Sequence, residues 1–227
     1  DGKVFGEEEY RLTRTSSGSY QLISTGYFQF KVVLVNTKFH FQQAIGWNEE
    51  TTPEILSFKI NGPLGVGNRE FDIDFSPEEP YRTASIVTAE SHEDVRLPHG
   101  ELAVQGTFSS FAMLPYIMGD RNEAEIQLII ANGFGPRNSA GATSNEIVLD
   151  YLGQVLVRDE QQEIWVDEYQ FAPSDSGSEA EKGSLRLLYI DNEMMGIYAK
   201  STDERAESFQ VYRSDLFPEG FEIVSQH

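Results

Sequence analysis

The chain has 227 residues, of which 39% are hydrophobic, and its 17 Lys and Arg against 37 Asp and Glu give a formal net charge of −20. The 15 Phe, 10 Tyr and 2 Trp supply a core and exclude a disordered chain. The acidic balance opposes phosphate backbones and anionic membranes, so no nucleic-acid partner is expected. The absence of cysteine excludes disulfides, thiol catalysis and zinc-thiolate sites, and no apolar run is long enough for a transmembrane segment.

Residues 9–15 and 19–25 bracket Ser16-Ser17-Gly18, a hairpin signal. The stretch 27–47 follows, free of proline and crowded with aromatic and β-branched residues. Phe28, Phe30, Val32 and Leu34 share one parity, whereas Thr37, Phe39 and Phe41 take the other. Side chains alternate along a strand with period two, so this reads as a half-buried strand whose inward parity flips between Leu34 and Thr37. Such a flip needs a bulge or a tight turn, and Asn36 suits either. Residues 53–60 form a strand closed by Asn61-Gly62-Pro63. Residues 69–75 set Phe71, Ile73 and Phe75 against Glu70, Asp72 and Asp74, and 82–89 and 94–97 are further strands of the same meander.

Pro98-His99-Gly100 breaks this pattern, and Phe108, Phe111, Ala112 and Tyr116 then recur at helical spacing, with Pro115 near the end. One short helical segment is expected over 108–118, covering an edge or open end of the sheet. Strand patterns resume at 125–130, and 133–145 reads as a loop rich in glycine and serine. Residues 146–158 and 164–171 alternate again, the latter with Trp165, Tyr169 and Phe171 on one parity. The polar stretch 173–183 is expected to be mobile. Strands over 185–190, 194–200 and 207–212 finish the chain, with a turn at Asp191-Asn192. The fold class that follows is all-β: a large curved antiparallel sheet or open β-barrel with one short helical segment. A single domain over 1–227 is expected, with a split near 120 as the alternative.

No motif carries catalysis. His40 has no nucleophile to serve, because Gly-x-Ser-x-Gly is absent. Gly62-Pro-Leu-Gly-Val-Gly67 lacks the Lys-Ser/Thr end of a phosphate loop and reads as a turn. Glu90-Ser-His92-Glu-Asp94, with His99 beyond, is the most metal-like cluster, and His92 and Asp94 would share a strand face. It has no evident closing ligand and reads more simply as a polar loop; Asp72 and Asp74 read as a solvated strand face. No catalytic residue, metal or cofactor is therefore expected. Glu163, Asp167 and Glu168 supply carboxylates from which a glycosidase pair could be drawn.

The remaining signal is aromatic. Phe28, Phe30, Trp47, Phe58, Trp165 and Tyr169 are the candidate ligand-binding residues, lining an apolar concavity in the sheet. Plain core filling is the competing explanation for each of them.

Three stretches carry a resemblance: the opening hairpin 9–25, the aromatic run 28–41, and Arg96-Leu-Pro-His-Gly-Glu-Leu102 leading into 108–118. Together they resemble bacterial envelope proteins of unknown function built on a curved antiparallel half-barrel, and are distantly similar to the lipoprotein-carrier fold. The resemblance covers under a third of the chain and transfers no functional residue. It implies an apolar or lipid-like molecule held on a concave face beneath a short helical lid.

The leading expectation is a non-enzymatic exported module that binds an apolar or amphipathic small molecule. The alternatives are a structural or interaction protein of the cell envelope, with an envelope protein partner and in one form calcium-dependent, and a carbohydrate-active enzyme. Asp1-Gly2-Lys3 is not an initiator sequence, so a removed leader and a periplasmic or extracellular location are expected.

Overall fold

The computed structural model describes residues 5–32, 35–62, 69–76, 82–88, 92–97, 101–105, 107–131, 142–173, 185–199 and 210–226. The fold is all-β and antiparallel with one short helical segment, as the alternation requires. The strands are β1 Gly6–Arg14, β2 Tyr20–Val32, β3 Val35–Trp47, β4 Pro53–Asn61, β5 Arg69–Ser76, β6 Arg82–Thr88, β7 His92–Leu97, β8 Glu101–Gln105, β9 Glu123–Ala131, β10 Ala142–Arg158, β11 Glu163–Pro173, β12 Leu185–Ile190, β13 Glu193–Ala199, β14 Gln210–Tyr212 and β15 Glu222–Gln226. A 3₁₀ turn over Phe108–Met113 runs into helix α1, Leu114–Met118.

Strands β1 to β7 pair in sequence order as one seven-stranded sheet. A second sheet runs β14-β13-β12-β11-β10-β9-β8, with β15 paired to β10. Among the described residues neither strand path closes on itself. The chain divides into two compact units, Asp1–Met113 with Gln127–Ser144, and Leu114–Ile126 with Asn145–His227.

The parity flip in the aromatic run has a simple origin. β2 and β3 pair from Tyr20↔Trp47 to Val32↔Val35, so the run is two hairpin strands and the chain reverses before Asn36. Directly opposed residues of an antiparallel pair face the same side. Phe28 opposite Phe39 therefore puts even positions of β2 and odd positions of β3 on one face. Two strands appear that the sequence reading missed, β8 and β15, each of five residues. β10 also starts earlier than expected, so 142–145 are strand. The rest of the 133–145 loop and the polar stretch beyond Pro173 lie outside the described residues.

The core of the first unit is the inner face of its sheet. Leu22 on β2, Phe39, Phe41, Ile45 and Trp47 on β3, Leu56, Phe58 and Ile60 on β4, and Ile73 on β5 are all buried. In the second unit Val155, Val157, Val166, Leu188, Met195, Tyr198, Phe217 and Phe221 form one apolar cluster. Helix α1 buries Leu114, Ile117 and Met118. It ends at Gly119, whose φ of 56° is a conformation glycine adopts without strain, and Arg121 bonds back to the Ile117 and Met118 carbonyls. The Asp191-Asn192 turn between β12 and β13 has φ of 50° and 66°, both in the left-handed range that a two-residue hairpin of this hand demands.

Candidate functional site

The inner face of β2, β3 and β4 carries an aromatic wall. Phe28 is half-buried and stacks at 5.8 Å and 18° on both Phe39 and Phe41. The arrangement depends on Gly26, which lies between Glu8 of β1 and Phe41 of β3. A Cβ there would meet the Phe41 ring at 2.7 Å and the Glu7 carbonyl closer still. The bare backbone makes room for the ring.

Beside this wall the same face buries a polar network. Ser24 and Gln43 are opposed in register and each is 2% exposed. A buried amide without partners is costly, and the partners come from the 3₁₀ turn. The Gln43 Nε2 group donates to Thr107 Oγ1 at 2.8 Å and lies 3.3 Å from both Ser24 Oγ and Ser109 Oγ. Ser110 Oγ donates back to Gln43 Oε1 at 3.3 Å. The Glu8 carboxylate accepts the Thr107 hydroxyl at 2.5 Å and the Ser109 N–H at 3.2 Å. Charge-assisted bonds of this kind are the strong ones, and Glu8 stands at the start of the turn, where N–H groups lack helical partners. The network uses its polar atoms on itself. Its effect is to dock the 3₁₀ turn on the first sheet.

The opposite face of β1 to β4 is polar. Glu7, Glu9, Thr25, Tyr27, His40, Gln42 and Asn61 line a groove of about 330 Å³. Lys38 places its ammonium 3.2 Å from the centre of the Tyr27 ring. Desolvation, then a hydrogen bond to Glu7, pushes the Tyr27 hydroxyl above its ordinary pKa.

In the second unit Tyr151, Tyr169 and Tyr189 run across β10, β11 and β12, with ring centres 5.2 and 5.5 Å apart. The Tyr151 hydroxyl donates to Asp167 at 3.0 Å. Desolvation first, and that bond second, raise the Tyr151 pKa. Glu168, one residue on, points to the other face, where it is 3% exposed and takes the hydroxyl of Tyr198 inside the apolar cluster.

The six aromatic candidates divide between the units. Phe28, Trp47 and Phe58 belong to the first, with Trp47 and Phe58 fully buried; the Phe30 side chain lies outside the described residues. Trp165 and Tyr169 belong to the second, where Tyr169 is half-buried and Trp165 is 42% exposed. The carboxylates do not gather: Glu163 pairs with Arg158 at 3.6 Å, while Asp167 and Glu168 face opposite sides of β11. His92 and Asp94 do share a face, 3.2 Å apart, with Ser85 at 2.7 Å from His92. No group of three metal-ligating side chains occurs among the described residues. Glu90, Ser91 and His99 lie outside them, as do residues 63–67 of the glycine-rich turn.

No family model matches the chain, and no curated protein matches it. Solved structures do. A DUF1089 family protein from Pseudomonas aeruginosa is similar with a TM-score of 0.53 and 11% identity, over 86% of this chain and 89% of that one. A beta-barrel-like protein of the domain of unknown function DUF1849 from Brucella abortus gives 0.58 and 8%, over 97% of this chain and 88% of that one. The likeness is one of fold. At such identities no site residue is carried over.

Proposed function

We propose that the protein is a non-enzymatic binding module, exported to the periplasm or beyond, that holds an apolar or lipid-like molecule against the aromatic inner face of its first sheet. The observation that carries this reading is Phe28: a large ring stacked on two core aromatics yet only half-covered by the protein itself. Apolar pockets with a few fixed polar groups are the common form of small-molecule sites. The Glu8–Gln43 network fixes the 3₁₀ turn beside this wall. Bacterial proteins of unknown function with a similar fold are compatible with such a role.

The test is native mass spectrometry of gently purified protein, together with titration of an apolar fluorescent probe. Phe28→Ala is expected to reduce probe affinity severalfold while the protein still folds. Absence of any co-purified molecule, together with unchanged probe binding in the variant, would sink the reading.

A further inference from the structure

β6 and β7 end the first sheet's strand path, with Ser85 opposite Asp94 and Val87 opposite His92. His92 and Asp94 stand two apart on one face of β7, and Ser85, directly opposed to Asp94, faces the same side. The three side chains converge. His92 Nε2 lies 2.7 Å from Ser85 Oγ and 3.2 Å from Asp94 Oδ1. Both contacts fall on one ring nitrogen, which offers either one donor or one acceptor and so serves the two oxygens poorly. A cation in their midst would serve all three atoms. Donors about 2.0–2.2 Å from a metal lie roughly 3.0–3.4 Å from one another, a spacing that a small rotation of these side chains supplies. The side chains of His92 and Asp94 are each 62% exposed, which leaves the outer side to water. The surroundings are acidic. On β5, Asp74 lies across from Ser85 and Asp72 across from Val87, so both face this side. Arg96, two residues beyond Asp94, opposes them, but on a chain of net charge −20 the field favours a cation.

We propose that Ser85, His92 and Asp94 form a water-completed site for a divalent transition-metal ion, which clips β7 to β6. The imidazole sets the class of metal. Zinc, nickel and copper take nitrogen ligands readily, whereas magnesium and calcium are held by oxygen. His92 binds as the neutral ring through Nε2, and a proton held there passes to solvent. Asp94 brings the one negative charge and Ser85 a neutral hydroxyl. The described residues place no third histidine or carboxylate within reach. With one imidazole and one carboxylate, in place of the three or four strong ligands of a built zinc site, the ion is held weakly and exchanges freely. The closing ligand escapes a reading of residues 90–99 because it comes from the neighbouring strand, seven residues before His92.

The test uses the whole untagged chain, stripped with chelator and titrated calorimetrically with zinc, nickel, magnesium and calcium chlorides. Zinc and nickel are expected to bind saturably, and magnesium and calcium far more weakly. Nickel is paramagnetic, so amide resonances should broaden first at 83–87 and 92–96. His92→Asn and Asp94→Asn should each weaken zinc binding by at least about tenfold, the lower end of what loss of even an outer-shell partner costs a metal site. Ser85→Ala should weaken it severalfold, and His40→Asn should leave it unchanged. Thermal melting of each metal-free variant serves as the folding control, and zinc should raise the midpoint of wild type but not of His92→Asn. The proposal is overturned if neither zinc nor nickel binds saturably, if magnesium or calcium binds as tightly, or if His92→Asn keeps wild-type affinity. Wild-type affinity in Ser85→Ala would also overturn it, since the three-donor site would then lack its third donor.

Discussion

The inner face of the first sheet and the two faces of β11 show how the same residue types come to different uses. In β3, Phe39, Phe41, Ile45 and Trp47 all point one way and are all buried, and the one polar residue among them, Gln43, is enclosed by a network. In β11 the apolar character is split: Val166 enters the cluster beside a buried Glu168, while on the opposite face Phe171 is buried and Trp165 is 42% exposed. A strand with one apolar parity states its inward face. A strand with two does not, and the choice between them is made by the elements packed against it.

Replacing each tryptophan by alanine should expose this difference most strongly. Trp47→Ala empties a fully enclosed site and is expected to cost about 3–5 kcal/mol of unfolding free energy. Trp165→Ala, on an exposed position, should stay within about 0.5 kcal/mol. Urea denaturation of both variants measures the gap; equal losses would mean that Trp165 is packed as firmly as Trp47.

The polar groups give the next contrast. Gln43→Leu removes the hub of the first unit's network, with its bonds to Ser24, Thr107 and Ser110, at an expected cost of about 1–3 kcal/mol. It should also raise amide exchange at 107–113, the segment the network docks. Tyr198→Phe removes one donor from the buried Glu168 and is expected to cost the lower part of about the same 1–3 kcal/mol, with its effect confined to the second unit. Unchanged exchange at 107–113 in Gln43→Leu would show that apolar packing of Phe111 and Met113 alone holds the turn.

Much of the fold was legible because period-two alternation survives in nearly every strand. Long hairpins and their turns, Ser16-Ser17-Gly18 and Asp191-Asn192, followed from local chemistry. The flip between Leu34 and Thr37 was visible, and of the two causes offered, a bulge or a tight turn, the turn is the one found, placed before Val35 rather than at Asn36. β8 and β15 escaped because five residues beside glycine and proline carry too little pattern. The network was missed because its members are far apart, at 8, 24, 43 and 107–110. A signal did exist, in Ser24 and Gln43 standing on parities otherwise filled by Leu22, Phe28, Phe41 and Ile45. For β11 no reading of its own residues could choose between the 164–166 and the 169–171 parities.

The smallest expected effects concern pH, and they also separate two regions of the second unit. At Asp215, two hydrogen bonds from Arg213, at 3.1 and 2.7 Å, hold the carboxyl below its ordinary value of 3.8. A depressed carboxyl contributes stability that is complete above the unfolded value and is lost as pH falls through the lower folded one. Tyr151 runs the other way. Its pKa is raised above 10.0 by desolvation and by the bond to Asp167, so its contribution is complete below 10.0 and is lost as pH climbs through the folded value. Because the Asp215 side chain is 63% exposed, the acid effect is discounted to a few tenths of a kcal/mol, roughly that of a surface ion pair. Urea midpoints taken from pH 2 upward, about two units below the usual carboxylate range, should therefore show a slight acid loss that disappears in Asp215→Asn. A small alkaline loss should disappear in Tyr151→Phe, with delayed tyrosine ionisation near 295 nm as its optical counterpart. If Tyr151→Phe leaves the alkaline limb unchanged, the Tyr151–Asp167 bond is not maintained in solution, and the orientation of Asp167 beside Trp165 loses its support.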